Sequence, residues 1–234
     1  SRFLFINENF KFMKRFLKFN DVNFIDGVLA DFGVSSHQFD KPERGFSTRF
    51  DSHLDMRMDQ DNPVSAKTVI NKYDESDLKR LFKEYGELRL APAIARTITE
   101  ARSLNPIETT IQFKSVLRKY LTSGKENKIL AQIYQAIRIE VNKELDALKN
   151  FLMDAKDMLR PGGRLSVISY HSLEDRLVKR FIRNGMFSGE PQRDIFGNYE
   201  VPFKKIGKLI IPSKEEIKIN NRARSAKLRI AIKL

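Results

Sequence analysis

The chain has 234 residues, with 43 Lys and Arg against 30 Asp and Glu for a formal charge of +13, and it contains no cysteine. Disulfide frameworks, thiolate zinc sites, iron–sulfur clusters and cysteine nucleophiles are therefore excluded, and no apolar run approaches the roughly 20 residues of a membrane-spanning helix. With 41% hydrophobic residues, one folded domain, or one domain with an insertion, is expected at this length. Residues 1–19 alternate apolar side chains with Lys11, Lys14, Arg15 and Lys18, unlike a signal peptide, so a soluble cytoplasmic protein is expected. Residues 201–234 hold ten basic side chains against Glu215 and Glu216, and residues 1–20 hold five against Glu8. The rest of the chain is close to neutral. Such clustering is the footprint of a polyanion-binding protein, because each phosphate neutralised by Lys or Arg releases counterions.

In chain order, residues 3–7 read as a short buried strand, and 9–19 as a helix with Phe12, Met13, Phe16 and Leu17 on its apolar stripe. The run Asp26-Gly27-Val28-Leu29-Ala30-Asp31 reads as a buried parallel strand entering a functional loop at Gly33 and Ser35-Ser36. Residues 41–63 lose periodicity and form a long loop. Helices follow: a segment capped by Asp74 or Ser76 and ending at Gly86, then about 90–103, then 109–121. Residues 128–159 are periodic for longer than an ordinary helix, and a break is expected near Val141-Asn142. Pro161-Gly162-Gly163 stops that helix, 164–170 is an apolar strand and 171–183 a helix. A loop covers 184–198, and the last strands are 207–211 and 226–232. The order is that of an α/β sheet interrupted by an all-helical insertion.

Ligands of open parallel sheets bind outside the carboxyl ends of the strands. Here those ends carry Phe10, Asp31 and the run Ser169-Tyr170-His171-Ser172. Acceptors, hydroxyls, an aromatic face and a histidine around one crevice suit an adenosyl ligand. By spacing alone, Asp31 as a mere turn cap is an equal reading, and a lone histidine such as His171 is more often structural than catalytic. The Asp55-x-Arg57-x-Asp59 triplet reads as a charged loop held by internal pairs. His37 and His53 belong to no cluster with ligand spacing, so no metal is expected. Gly162-Gly163 lacks the following helix that a phosphate-binding glycine loop requires.

Several blocks carry a resemblance. Ile25-Asp26-Gly27-Val28-Leu29-Ala30-Asp31-Phe32-Gly33-Val34-Ser35-Ser36, Glu43-Arg44-Gly45-Phe46-Ser47 and Leu54-Asp55-Met56-Arg57-Met58-Asp59 come first. Gln135-Ala136-Ile137-Arg138-Ile139-Glu140-Val141-Asn142, Tyr170-His171-Ser172-Leu173-Glu174-Asp175-Arg176 and Arg222-Ala223-Arg224-Ser225-Ala226-Lys227-Leu228-Arg229 follow. In order along the chain they resemble the RsmH/MraW family, S-adenosylmethionine-dependent 16S ribosomal RNA (cytosine-N4)-methyltransferases.

The resemblance implies a Rossmann-like methyltransferase domain over 1–41 and 137–234, with an RNA-recognising helical insertion over 42–136. It implies S-adenosylmethionine as methyl donor, contacted by Phe10, Asp31 and Gln38. It implies as partner the 16S ribosomal RNA of the small subunit, without a membrane. For the chemistry, Asp31, Ser35, Ser36, His171 and Ser172 are the candidates, because an acceptor oxygen on a cytosine N4 proton turns the amine's lone pair toward the methyl group. Arg222, Arg224, Lys227 and Arg229 are the candidates for phosphate contact. Family members also carry a Gly-Gly-His cofactor loop and an acidic ribose ligand ahead of the position matching Ser1. Residues 1–234 alone are accordingly expected to bind the donor barely or not at all and to be silent. The alternatives are a non-catalytic RNA-binding remnant, or a methyltransferase acting on DNA or protein.

Overall fold

The computed structural model describes residues 3–197 and 199–234. A 3-10 turn (Phe10–Phe12) leads into α1 (Met13–Phe19), followed by β1 (Ile25–Asp31), α2 (Ser36–Asp40), α3 (Ala66–Lys72), α4 (Glu75–Glu84), α5 (Ala91–Leu104), α6 (Thr110–Val116) and α7 (Glu126–Asn142). Then come α8 (Glu144–Met158), β2 (Leu159–Ser169), α9 (Ser172–Asn184), β3 (Phe203–Ile210), α10 (Lys214–Ile219) and β4 (Lys227–Lys233). The chain divides into two compact units, Ser1–Gly33 with Leu145–Leu234, and Val34–Glu144. The boundaries read from the sequence, at 41/42 and 136/137, both fall inside the second unit. Among the described residues no helix is long and apolar enough to cross a membrane.

The first unit is built on a four-stranded sheet of order β1-β2-β4-β3. β1 runs parallel to β2, while β4 is antiparallel to both β2 and β3. In β2 the side chains alternate, so Leu165, Val167 and Ser169 are buried while Arg164, Ser166 and Ile168 are not. The buried set packs with Phe151, Leu152 and Ala155 of α8 and with Val178, Phe181 and Ile182 of α9.

Three expectations are corrected here. Residues 3–7 form no strand; Phe3, Leu4 and Phe5 are 76%, 59% and 73% exposed, so the apolar run has no core to face. Pro161-Gly162-Gly163 does not separate helix from strand but lies within β2. Its partners jump from Leu159 to Arg164 while β1 advances only from Ile25 to Gly27, an irregularity that Gly162 allows with φ +83. β3 begins at Phe203 rather than 207, because Phe203 fills the core between α9 and β4.

α9 is tied to β4 by charge. Asp175 accepts from Arg229 Nε at 2.7 Å and from a second guanidinium nitrogen at 3.1 Å, with Lys227 Nζ at 3.4 Å. Two candidates for phosphate contact, Lys227 and Arg229, are thus engaged inside the fold.

In the second unit, α3 to α7 enclose a core that includes Ile70, Leu81, Phe82, Ile94, Phe113 and Ile137. Ser65 and Thr109 begin α3 and α6 with reciprocal caps, accepting from the backbone of Thr68 and Gln112. The expected helix break comes at Lys143, whose φ of 50 ends α7. The charged loop over 41–63 is held from within, as its triplet suggested. Arg57 bonds Asp55 at 2.5 Å and the carbonyl oxygens of Gln60 and Asn62, and Arg44 donates to the carbonyls of Arg57 and Met58. Asn142 closes the loop onto α7, accepting from Met58 N–H at 2.7 Å and donating to the Met56 carbonyl at 2.8 Å. Gly45 is required there, since a Cβ would lie 2.4 Å from the His53 carbonyl oxygen and its φ is +66.

Burial pushes the Asp175 carboxyl up, but Arg229 and Lys227 more than offset it and hold it below its usual value of 3.8. A depressed carboxyl stabilises the fold above its unfolded pKa, and that contribution is lost as pH falls through the folded value. Asp175→Asn should therefore cost about 1–2 kcal/mol at neutral pH, a figure kept low by the partly solvated Lys227. In urea unfolding the gap to the natural protein should close as pH drops below about 4. A gap independent of pH would show that the ion pair contributes nothing.

Candidate active site

Parallel pairing sets Asp31 opposite Ile168, and Phe32 N–H extends the ladder to the Ile168 carbonyl at 3.1 Å. Tyr170 lies two residues beyond Ile168, hence on the same side of the sheet as Asp31. Its hydroxyl donates to Asp31 Oδ1 at 2.9 Å. Burial, and after it the bond to Asp31, pushes the Tyr170 phenol up to about 12, so at neutral pH it stays protonated and remains a donor. Gly33 makes the exit from β1 with φ +95, and a Cβ there would lie 3.7 Å from the Tyr170 ring.

Phe10 sits against this strand end. Its ring centroid lies 5.4 Å from that of Phe32 and 5.7 Å from that of Phe151, and Phe32 and Phe151 meet edge-on at 5.5 Å. Phe32 and Phe151 are buried, whereas Phe10 remains 40% exposed. One part of its surface is anchored on Phe32 and Phe151 and the rest is offered to solvent. The segment is held by Lys14, whose N–H donates to Asp154 at 2.9 Å and whose ammonium pairs with Asp157 at 2.5 Å.

His171 caps α9. Glu174 N–H lies 3.5 Å from its Nδ1, while Glu174 Oε2 accepts from the backbone N–H of Tyr170 at 2.8 Å and of His171 at 3.3 Å. The imidazole is 8% exposed, and Nε2 lies 3.2 Å from Glu174 Oε1 without hydrogen-bond geometry. Ser172 opens the helix, half-buried. In the second unit Ser35 caps α2: its Oγ accepts from Gln38 N–H at 3.2 Å, and Gln38 Oε1 accepts from Ser35 N–H at 3.1 Å. Ser36, in the first turn, is exposed.

The fold therefore gathers Phe10, Asp31 and Tyr170 at one strand end, with His171 and Ser172 following directly, and it brings Ser35 to Gln38. Tyr170 was missed as a site residue. It was visible as part of a strand end, but its partner lies 139 residues away in sequence, and only the register reveals the pair. Glu174 was missed too, although its spacing from His171 is that of a capping box. Of the candidates for phosphate contact, Arg229 is spent on Asp175, with 14% of its side chain exposed. Arg222 and Arg224 are exposed on a 3-10 turn (Asn221–Ser225).

The mixed α/β fold on its four-stranded sheet is consistent with a methyltransferase of Rossmann-like architecture. A profile of the MraW methylase family matches residues 1–234. The chain is 67% identical over 233 residues to "Ribosomal RNA small subunit methyltransferase H" of Flavobacterium johnsoniae, covering 100% of this chain and 77% of that relative. It is 64% identical over 233 residues to the protein so named in Christiangramia forsetii, with the same shares, and 47% identical over 232 residues to that of Bacteroides fragilis, covering 99% and 76%. The chain belongs to the MraW methylase family.

If the Asp31–Tyr170 bond raises the phenol as described, Asp31→Ala should bring the Tyr170 pKa down from about 12 yet leave it above the ordinary 10, because burial remains. Ring-labelled tyrosine NMR, with Tyr170→Phe assigning the signal, reads this directly. A value unmoved by the substitution would mean that the two side chains do not meet in solution.

Proposed function

We propose that this protein transfers a methyl group from S-adenosylmethionine to the exocyclic N4 amine of a cytosine in 16S ribosomal RNA of the small subunit. The observation that carries the reading is the Asp31–Tyr170 pair at the carboxyl ends of two parallel strands, with the partly exposed Phe10 packed on Phe32, the next residue along the chain. The relatives' shared name supplies the substrate class.

The residues present fit the donor in part. In the first unit Phe10 offers an apolar wall for an adenine and the strand-end Asp31 offers an acceptor; in the second, the Gln38 amide oxygen is engaged at the Ser35 N–H. When bound, the donor supplies a methyl group already activated on a sulfonium. The protein's part is then alignment and the handling of one amine. Asp31 accepts an N4 proton in a hydrogen bond, which turns the nitrogen lone pair out of conjugation with the ring and stabilises the charge that develops. Tyr170 occupies one carboxylate oxygen and fixes its direction, leaving the other for substrate. His171 and Glu174 act through structure, locking the turn that carries Tyr170. Ser35, which caps α2, and the exposed Ser36 are the hydroxyl candidates of the second unit.

The target base must leave its stack to reach such a site, and the RNA around it needs cationic contacts. Among the candidates, the exposed Arg224 carries that role ahead of Lys227 and Arg229, which Asp175 engages.

In the natural protein, assayed with radiolabelled donor and unmethylated small subunits, Asp31→Ala should slow transfer about a hundredfold or more. Full methylation by Asp31→Ala with normal donor affinity would overturn the role. Arg224→Ala should lower the log–log salt slope of RNA binding by about 0.7–0.9, one phosphate contact, while Arg229→Ala should mainly reduce stability. Methyl transfer to DNA or protein but not to small-subunit RNA would contradict the substrate.

A further inference from the structure

The helical unit carries a cleft that the chemistry above does not use. Leu88, Arg89, Leu90, Ile94, Tyr120 and Ile129 line a volume of about 320 Å³. Leu90 is 55% exposed at its rim, and Ile94 is fully buried. The Tyr120 hydroxyl lies 2.7 Å from both the Ala93 carbonyl oxygen and Thr97 Oγ1. Its polar end is thereby satisfied, and what it presents is its ring. The Lys119 ammonium lies 5.3 Å from the centroid of that ring.

The surroundings are cationic. Residues 111–130 hold Lys114, Arg118, Lys119, Lys125 and Lys128 against the single acid Glu126, which Lys114 engages at 2.7 Å. Among the described residues Arg89, Arg118, Lys125 and Lys128 make no ion pair, and all four are exposed. Lys125 precedes α7 and Lys128 lies in its first turn, where the helix dipole disfavours cations. Their placement costs the free protein stability and favours an anion.

An apolar slot with an aromatic and a guanidinium in its wall, set in unpaired cations, has the two elements by which proteins hold unpaired RNA: a π or guanidinium plane for the base and ammonium groups for the phosphates. We propose that this cleft holds one unpaired nucleotide of the RNA substrate, its base against Tyr120, Leu90 and Arg89 and its phosphates on Arg118, Lys119, Lys125 and Lys128. The inference rests on the RNA reading above, and it names a second grip on that RNA, separate from the target cytosine.

The probe is a twelve-residue oligouridylate carrying one 4-thiouridine, bound to the natural protein and photocrosslinked. The crosslink should map to the cleft residues. Leu90→Asp is the informative variant: Leu90 is the N-cap of α5, half-exposed and making no side-chain cap, so aspartate removes no buried contact of the helix start while placing a negative charge in the cleft. Leu90→Asp should abolish the crosslink and weaken binding about 5- to 100-fold, the range one stacked base supplies, whereas Tyr120→Phe should keep both. Arg118→Ala with Lys125→Ala should lower the salt slope by about 1.4. Crosslinks mapping elsewhere, with Leu90→Asp binding as the natural protein does, would overturn the cleft while leaving RNA methylation standing. Protection of the cleft from hydrogen exchange by a small-subunit protein and not by the oligouridylate would overturn it as well. Crosslinking to the cleft by a protein that transfers no methyl group to RNA would support the cleft and fail the activity.

Discussion

The site depends on the parallel pairing of β1 with β2. Once Asp31 is opposite Ile168, both strands end at one level and Tyr170 falls on the Asp31 side of the sheet. The same register turns Phe32 into the core, where it meets Phe151 and gives Phe10 a surface to rest on. A slip of one residue would send each of these side chains to the opposite face. β4 holds β2 from the other side, and the buried alternation of Leu165 and Val167 excludes a one-residue slip, which would turn Arg164 and Ser166 into the core.

Charge in this protein does two different jobs that composition cannot separate. The basic carboxyl-terminal segment reads as a uniform polyanion footprint, yet Arg229 and Lys227 spend their charge on Asp175, fastening α9 to β4. Arg224, a few residues earlier on an exposed turn, has no such employment among the described residues. The long acidic and basic loop over 41–63 likewise satisfies itself, through Arg57 with Asp55 and Arg44 with two backbone carbonyls. Charges that remain unpaired and exposed are the ones available to a phosphate chain.

How much was legible follows from how local each signal is. Helices α4, α5 and α9 were readable because their apolar faces and end signals lie within one short window, as with Leu78, Leu81 and Phe82 or with Gly185 closing α9 in a left-handed turn. Residues 3–7 carry an equally apolar run, but a strand exists only through its partner, and pairing is not written in one segment. Pro161-Gly162-Gly163 is turn chemistry, and pairing on both sides absorbed it into β2 as an irregularity. Asp31 was visible as a strand end; that it binds Tyr170 rather than capping a turn was not. For His171, the structural reading of a lone strand-end histidine is the one its cap geometry favours, and the block resemblance that singled it out does not distinguish holding a turn from doing chemistry.

Nucleoside mass spectrometry of 16S ribosomal RNA from cells with and without the gene reads directly whether this protein methylates cytosine N4 in small-subunit RNA. N4-methylated cytidine at one site should fall when the gene is deleted, and return with the natural gene but not with its Asp31→Ala form. Unchanged N4-methylation in the deletion strain would contradict that activity.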